Sequence, residues 1–310
     1  MLVPPGEGSS YTPGMTAGGG LLRARDLEPS LARRLRGRKL AVVGHVEWAE
    51  FVRVPHMPHA GEIVHVTDTW EAPAGGGAVT AVQLAALAGA ATFFTALGDD
   101  ELGRRAATEL GALDVDVRAA FRRRQPQRRV FVHLDDHGER TITVIGDRMG
   151  PRRRDQLGWS DLDSFDAVYV TAGDVGALRA ARRARTLTAT SRALALLKEG
   201  GVEIDALVRS ALDADERYRR GDLDPQPRLM VATEHDRGGR WRRPGGDQGR
   251  FAPVAPPGPV VDTYGCGDVF VAGVTAGLAA DVGVDAALEL GARCGAWCAA
   301  GAGPYGRRRR

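Results

Sequence analysis

The chain has 310 residues, 43% of them hydrophobic, enough for one large α/β domain. Its 42 basic and 39 acidic residues leave a formal charge of +3, too mild to imply a nucleic-acid partner. No apolar run reaches the roughly 20 residues needed to span a bilayer. The first residues lack the basic and apolar pattern of a secretory signal, and Cys266, Cys294 and Cys298 form no CxxC pair, so a reducing cytoplasm and no membrane partner are expected.

In chain order, residues 1–38 are rich in Gly, Pro and Arg and read as a disordered tail ahead of a domain over 39–306. "KLAVVGHV" predicts a strand, "AVTAVQLAALAG" a helix ending at Gly89, "ATFFTALG" a strand and "DDELGRRAATELG" a helix opened by acids. "DAVYVTAG" reads as a buried strand, "RALALLKEG" as the end of a helix and "RLMVATE" as another buried strand. Strands that are aliphatic throughout, alternating with helices, predict a mostly parallel sheet covered on both faces. Two segments differ: about 50–70 and 128–146 alternate polar and apolar residues, and the second carries "DDHGER" with Gly138 as a hairpin turn. They predict half-exposed antiparallel strands forming a small lid over a cleft. "RRRR" at 307–310 reads as a solvated basic tail.

The densest motif is "VVDTYGCGDVFVAG" at 260–273. Glycines ahead of a helix let backbone N–H groups approach an anion closely, so Gly265, Cys266 and Gly267 can cradle a phosphate. A carboxylate beside a phosphate repels it. Asp268 makes chemical sense there if it takes the proton from a hydroxyl attacking that phosphorus. The same residues also read as a turn followed by a helix cap.

The longer stretch "DTYGCGDVFVAG" resembles the signature of the PfkB, or ribokinase-like, carbohydrate kinases, D-T-x-G-A-G-D-x-F-x-A-G. Asp262, Thr263, Gly265, Gly267, Asp268, Phe270, Ala272 and Gly273 match, and Cys266 replaces a small Ala. Gly61–Glu62, Gly75–Gly76 and Gly98–Gly103 resemble the family's N-terminal region, and the resemblance runs over about 40–306. It implies a three-layer α/β/α domain with a β lid. It further implies an ATP-dependent kinase acting on a hydroxyl of a sugar or related small molecule, with Asp268 as base and the amides of 265–268 as anion hole. A nucleoside kinase and a silent sugar- or nucleotide-binding regulator on the same fold stand as alternatives. Lid strands of the family often pair between subunits, which makes a homodimer an expectation.

Other positions depart from the pattern. Ala49 stands where sugar kinases of the family carry a substrate-binding Asp, and Glu47, two residues earlier on the same strand face, is the candidate replacement. Gly75 and Gly76 are expected at the substrate floor, with Thr80 in place of a sugar-contacting Asn and Ala78 in place of a Gly. The family's magnesium-ordering N-x-x-E reads Asp213-Ala-Asp-Glu216, and Asp262 would lie near the metal or a monovalent cation such as K+. The ATP-side T-x-G-x-x-G keeps Thr233 and Gly238, with His235 at a usual Gly. Cys294 and Cys298, four residues apart, read as one buried helix face.

Overall fold

A computed structural model describes residues 19–136 and 140–306. The tail expectation for 1–38 covers 1–18, and Gly138 and Arg307–Arg310 likewise lie outside the described residues. The part of that segment from 19 onward is folded. Helix α1 spans Pro29–Leu35, and Leu22 and Leu35 are fully buried in the main core. The Gln83 side chain donates to the Leu22 carbonyl at 2.7 Å, tying this segment to the domain.

The chain continues through β1 (Leu40–Val43), β2 (Glu47–Arg53), β3 (Asp68–Ala74), α2 (Gly76–Ala88), β4 (Ala91–Gly98), α3 (Glu101–Gly111) and β5 (Val115–Arg122). Next come β6 (Arg129–Leu134), β7 (Arg140–Ile145), β8 (Ala167–Val170), α4 (Val175–Ala181), β9 (Thr186–Thr190), α5 (Leu194–Gly200) and β10 (Ala206–Ser210). The C-terminal part adds β11 (Met230–Thr233), β12 (Gly239–Arg242), β13 (Gln248–Phe251), α6 (Cys266–Ala279) and α7 (Val284–Ala299). None of the helices among the described residues is long and apolar enough to cross a membrane.

Nine strands form one sheet in the order β13-β12-β11-β10-β9-β8-β1-β4-β5, parallel from β11 to β5. The two edge strands β12 and β13 run antiparallel, which the sequence reading did not include. Both faces are covered, as expected. Along β1, Leu40 and Val42 enter one core while Ala41 and Val43 enter the other. This is the reason the strand is apolar at every position: alternate side chains point to opposite faces, and neither face meets water. Helices α2, α6 and α7 close the first face, and α4 and α5 the second.

Helix α2 ends where Gly89 adopts φ 98°, the left-handed cap a glycine supplies at least cost. Helix α3 opens on Asp100, whose carboxylate accepts from Gly103 N–H at 2.9 Å.

The expected lid is present as a second sheet, β3-β2-β6-β7. The pairs β2–β3 and β6–β7 are antiparallel, as expected, but β2 and β6 pair in parallel, so the lid is a mixed sheet. Phe51 of β2 stacks on Trp70 of β3 and meets Tyr264 edge-on, each at 5.0 Å, which presses the lid against the segment leading into α6.

Candidate active site

In the main sheet the chain runs from β1 outward to β4 and β5, then returns to β8 on the other side of β1. The carboxyl ends of β1 and β8 therefore flank a topological switch point, where open α/β sheets form their binding crevice. The loops here are tightly fitted: a Cβ on Gly44, just after β1, would stand 2.6 Å from the Thr171 methyl, just after β8.

The 262–268 segment enters this crevice from the C-terminal part of the chain. Asp262 is buried, and both of its oxygens accept backbone N–H groups, from Tyr264 at 2.7 Å and Gly303 at 2.8 Å. Burial pushes its carboxyl above the ordinary value. Gly265 caps α6 with φ 80°, a left-handed conformation that only glycine adopts without strain. The cap is therefore Gly265, and Asp268 sits three residues into the helix, so the capping reading of Asp268 does not hold. Gly267, by contrast, has ordinary φ and faces open space, since a Cβ there would meet nothing within 4 Å. The Cys266 N–H donates to the Thr263 carbonyl at 3.4 Å, whereas the Gly267 and Asp268 N–H groups have no acceptor among the described residues. A free cradle beside them fits an anion such as a phosphate.

The Asp268 carboxylate is half-buried in the crevice and makes no hydrogen bond among the described residues. Burial is the main reason its pKa rises to about 6; Arg192 and Arg140 pull it down, while Glu216 and Glu47 add repulsion. A Cβ on Gly76 would stand 2.9 Å from Asp268 Oδ1, so the Gly75–Gly76 turn passes directly beside the carboxylate. Thr80 has a different place from the one expected. It is fully buried in α2, and its hydroxyl donates to the Asp268 carbonyl at 3.1 Å, fixing α6 against α2 instead of facing a substrate. The glycines in the rest of the motif set helix packing: a Cβ on Gly273 would stand 2.7 Å from Gly291 Cα of α7.

Glu47 reaches the same crevice. Its Cγ would lie 3.0 Å from a Cβ on Gly75, its Oε1 accepts from Arg128 Nε at 2.7 Å, and its Oε2 has no partner among the described residues. His45 is buried next to it, with Nε2 3.8 Å from Glu47 Oε1 and Nδ1 unpartnered. Burial, reinforced by Arg148, Arg128 and Arg192, lowers the His45 pKa to about 3, so the ring is neutral. Ala49 is fully buried in β2.

From the lid, Arg140 of β7 donates to the Thr263 hydroxyl at 2.8 Å and to the Thr263 carbonyl at 3.2 Å, and Arg53 reaches the Val261 carbonyl at 3.5 Å. The lid is thus held to the segment that carries Asp268.

Asp213 and Glu216 do come together, but around an arginine. Arg192 Nε donates to Glu216 Oε1 at 2.8 Å, and its Nη2 pairs with Asp213 Oδ2. The remaining oxygens accept backbone N–H groups, Glu216 Oε2 from Ser210 at 2.6 Å and Asp213 Oδ1 from Asp215 at 2.9 Å. A magnesium ion ligated directly by this pair would have to displace a guanidinium, so the residues do not fit such an ion. Asp262 does not join them. The His and acidic side chains whose ligand atoms lie within 4.8 Å of one another, among the described residues, are His56, His59 and Glu62.

On the β11–β12 side, Thr233 ends β11 and its hydroxyl donates to the Arg209 carbonyl at 3.4 Å. In the following turn Gly238 closes a Glu234 N–H to Gly238 carbonyl bond of 2.7 Å, and a Cβ on it would fall 2.1 Å from the Phe251 carbonyl. His235 has φ 55°, the left-handed conformation for which a glycine is the usual choice, so this His stands at a glycine's backbone position. Cys294 and Cys298 are buried on one face of α7, as expected, and Cys298 Sγ donates to the Tyr264 carbonyl at 3.3 Å.

Arg192, Arg128, Arg148 and His45 were missed from the sequence. The Arg-rich composition hides any single functional arginine, although Arg192 follows directly on the end of a parallel strand, which was the available signal.

The family model described as pfkB family carbohydrate kinase matches residues 38–244 and 203–306. No curated protein matches the chain. Among solved structures, the adenosine kinase of Sinorhizobium meliloti is 19% identical, with a TM-score of 0.70 over 86% of this chain and 95% of that one. The Arabidopsis thaliana ribokinase complexed with ribose and ATP is 17% identical, with a TM-score of 0.64 over 84% of this chain and 92% of that one. A microbiome-derived acarbose kinase is 22% identical, with a TM-score of 0.65 over 84% and 92%. These similarities establish the ribokinase-like α/β fold.

Proposed function

The chain belongs to the pfkB carbohydrate kinase family, and from that premise we propose that it transfers the γ-phosphoryl group of ATP to a hydroxyl of a sugar or related small molecule. The observation that carries this reading is the Asp268 carboxylate. It is half-buried in the crevice without a hydrogen-bond partner among the described residues, has a pKa raised to about 6, and stands beside an open helix N-terminus. A base needs a free lone pair and a pKa near the working pH, and Asp268 offers both.

In this reading the acceptor hydroxyl lies between Asp268 and the phosphoryl group. Asp268 takes its proton as the oxygen attacks, and the amides of Gly265 to Asp268 face the negative charge on the transferring group. Gly76 leaves room for the acceptor next to the carboxylate. Glu47 accepts from an acceptor hydroxyl through its free Oε2, and Thr80 positions Asp268. Thr233 and the Gly238 turn border the nucleotide. Asp262 ties the loop through its two backbone bonds, and Asp213 and Glu216 orient Arg192.

Lid contacts from Arg140 and Arg53 couple closure to the Asp268 segment and keep water from the phosphoryl group. Along β7, Ile142 and Val144 share one face and are 41% and 47% exposed on an unpaired sheet edge. That supports lid-to-lid pairing of two subunits.

The test is ADP release with ATP, magnesium and a panel of sugars and nucleosides, for the native protein and Asp268→Asn. Turnover on at least one acceptor that falls by about 10²–10⁴-fold in the variant supports the reading. Equal turnover in both removes Asp268 from the mechanism. ATP binding without transfer to any acceptor favours a silent binding protein.

A further inference from the structure

Cys266 is the first residue of α6, and Cys298 lies near the end of α7. The two helices touch backbone to backbone. A Cβ on Gly277 would stand 2.6 Å from Ala287 Cα, and one on Gly273 would stand 2.7 Å from Gly291 Cα. The contact thus moves back along α6 as it moves forward along α7, so the helices run antiparallel. Two turns beyond the Gly273–Gly291 contact, the same register sets Cys266 opposite Cys298. Gly295 bears this out from one turn earlier on α7: a Cβ there would lie 3.6 Å from the Cys266 carbonyl oxygen. The Cys298 thiol accordingly has the Cys266 thiol as a side-chain neighbour. A disulfide needs facing Cα atoms about 4.4–6.8 Å apart, and helices that meet at glycines bring their facing residues that close.

The two thiols differ in access. Cys298 is fully buried, and its Sγ donates to the Tyr264 carbonyl at 3.3 Å. Contact with the Cys266 thiol, burial, and the Asp262 and Asp268 carboxylates push the Cys298 thiol well up, so it stays protonated. Cys266 is half-buried at the open end of α6, the kind of place where thiols meet solutes. A dissolved oxidant therefore reaches Cys266 first. The family signature has Ala at this position, so phosphoryl transfer does not call for a thiol here. Cys294, fully buried on the same helix as Cys298, completes the three cysteines of the chain.

We propose that Cys266 and Cys298 form a reversible redox pair: a hydroperoxide joins them as a disulfide that disables the phosphate cradle, and a dithiol restores it. The Cys266 sulfur attacks one peroxide oxygen, the O–O bond breaks, and the leaving hydroxide takes a proton to become water. The Cys298 sulfur then attacks the Cys266 sulfenic acid. The S–O bond breaks, and the hydroxyl leaves as a second water with the Cys298 proton. The two sulfurs lose two electrons, and the peroxide gains them. In the disulfide Cys298 has no proton for the Tyr264 carbonyl, and the first turn of α6 is drawn onto α7. Tyr264 is itself tied to the site, since its N–H donates to Asp262 at 2.7 Å and its hydroxyl accepts from Gly75 N–H at 3.3 Å. The Gly267 and Asp268 amides are thereby moved from the transferring group. A displacement of about 1 Å at reacting groups costs on the order of 10²-fold in rate. The effect on turnover rests on the kinase reading, but the cross-link is measured without it.

The experiment treats the full chain with hydrogen peroxide and then with dithiothreitol. Free thiols are titrated, peptides are mapped without reduction, and kcat and calorimetric ATP affinity are measured at each stage. Native protein, Cys298→Ser and Cys294→Ser are each compared with their own reduced state; the serine at 298 keeps a donor for the Tyr264 carbonyl. Native thiols should fall from three per chain to one, with a Cys266–Cys298 peptide lighter by two hydrogens. Turnover should fall on the order of 10²-fold, ATP affinity should fall with it, and dithiothreitol should restore both. Cys294→Ser should respond as the native protein does, and Cys298→Ser should show no reversible loss. Three thiols left after peroxide, a cross-link that includes Cys294, or a reversible loss that survives in Cys298→Ser overturns the proposal. So does a Cys266–Cys298 disulfide that changes neither kcat nor ATP affinity. Transfer from ATP with no cross-link would leave the kinase reading standing. A cross-link that weakens ATP binding in a protein that transfers to no acceptor would sink the kinase reading alone.

Discussion

The Asp268→Asn variant makes a stability prediction that separates a strained catalytic acid from an ordinary helix residue. Asp268 has its pKa raised from 3.8 to about 6 in the fold. A raised pKa means that the folded state holds the proton more tightly than the unfolded chain does. The stabilising contribution of the neutral acid is therefore complete below the unfolded value, declines between pH 4 and 6, and is gone above the folded value. At pH 8 the buried charge costs on the order of 3 kcal/mol at most. Asn has nearly the shape of the neutral acid and never carries that charge. The variant should therefore be the more stable protein at pH 8, by up to roughly 3 kcal/mol, and no more stable than the native protein near pH 3.5. Urea denaturation of both proteins at the two pH values, with turnover at pH 8, reads this directly. A variant that is more stable and nearly inactive is the expected result. Unchanged or lowered stability at pH 8 would refute the reasoning that the site holds an uncompensated carboxylate.

Further predictions follow from neighbouring contacts. In Gly76→Ala the added methyl must push against Asp268 Oδ1, so kcat should fall more than 10-fold with a small change in melting temperature; unchanged kcat would mean that the carboxylate has room to move. Thr80→Val removes the bond to the Asp268 carbonyl, which costs about 1 kcal/mol of stability, and should lower kcat more than it changes the acceptor KM. Glu216→Gln should loosen Arg192 and raise the acceptor KM while leaving the magnesium requirement nearly unchanged; a large rise in the magnesium needed for half-maximal activity would restore the role in ordering hydrated magnesium that the family resemblance implies. His45, neutral with a pKa near 3, stabilises the fold above pH 6.5, and that contribution is lost as pH falls towards 3; His45→Gln should flatten this acid limb in pH-dependent melting. Replacing Ile142 and Val144 with Lys should turn a dimer into a monomer in sedimentation analysis, and an unchanged sedimentation coefficient would rule out pairing through β7.

The layers of the fold were legible because double burial leaves a plain mark: strands such as Leu40–Val43 and Ala167–Val170 are apolar at every position. Strand pairing was less legible. The parallel contact of β2 with β6 joins segments that are far apart in sequence, and neither carries a local signal for it. The edge hairpin β12–β13 was missed because its strands are rich in Arg and Gly, although Gly245 and Gly246 mark its turn. Residues 19–38 were read as part of a tail because their Pro, Gly and Arg content outweighs the few leucines, among them Leu22 and Leu35, that anchor them in the core.

At the site, the acid and glycines of the 262–268 motif could be read directly. The partners that define their surroundings could not. Thr80 looked like a substrate contact because its burial depends on α6 packing over α2. Asp213 and Glu216 looked like metal ligands because nothing in the sequence says that Arg192 lies between them.

The pH dependence of kcat/KM for phosphoryl transfer from ATP, followed from pH 4.5 to 9 with the best acceptor of the panel, tests the central claim most directly. If Asp268 is the base, the rate rises with one proton lost near pH 6, the value set by its burial, and the residual rate of Asp268→Asn shows no such limb. A profile that is flat through pH 6, or one whose limb survives in the Asn variant, would place the proton transfer on another group and contradict the account.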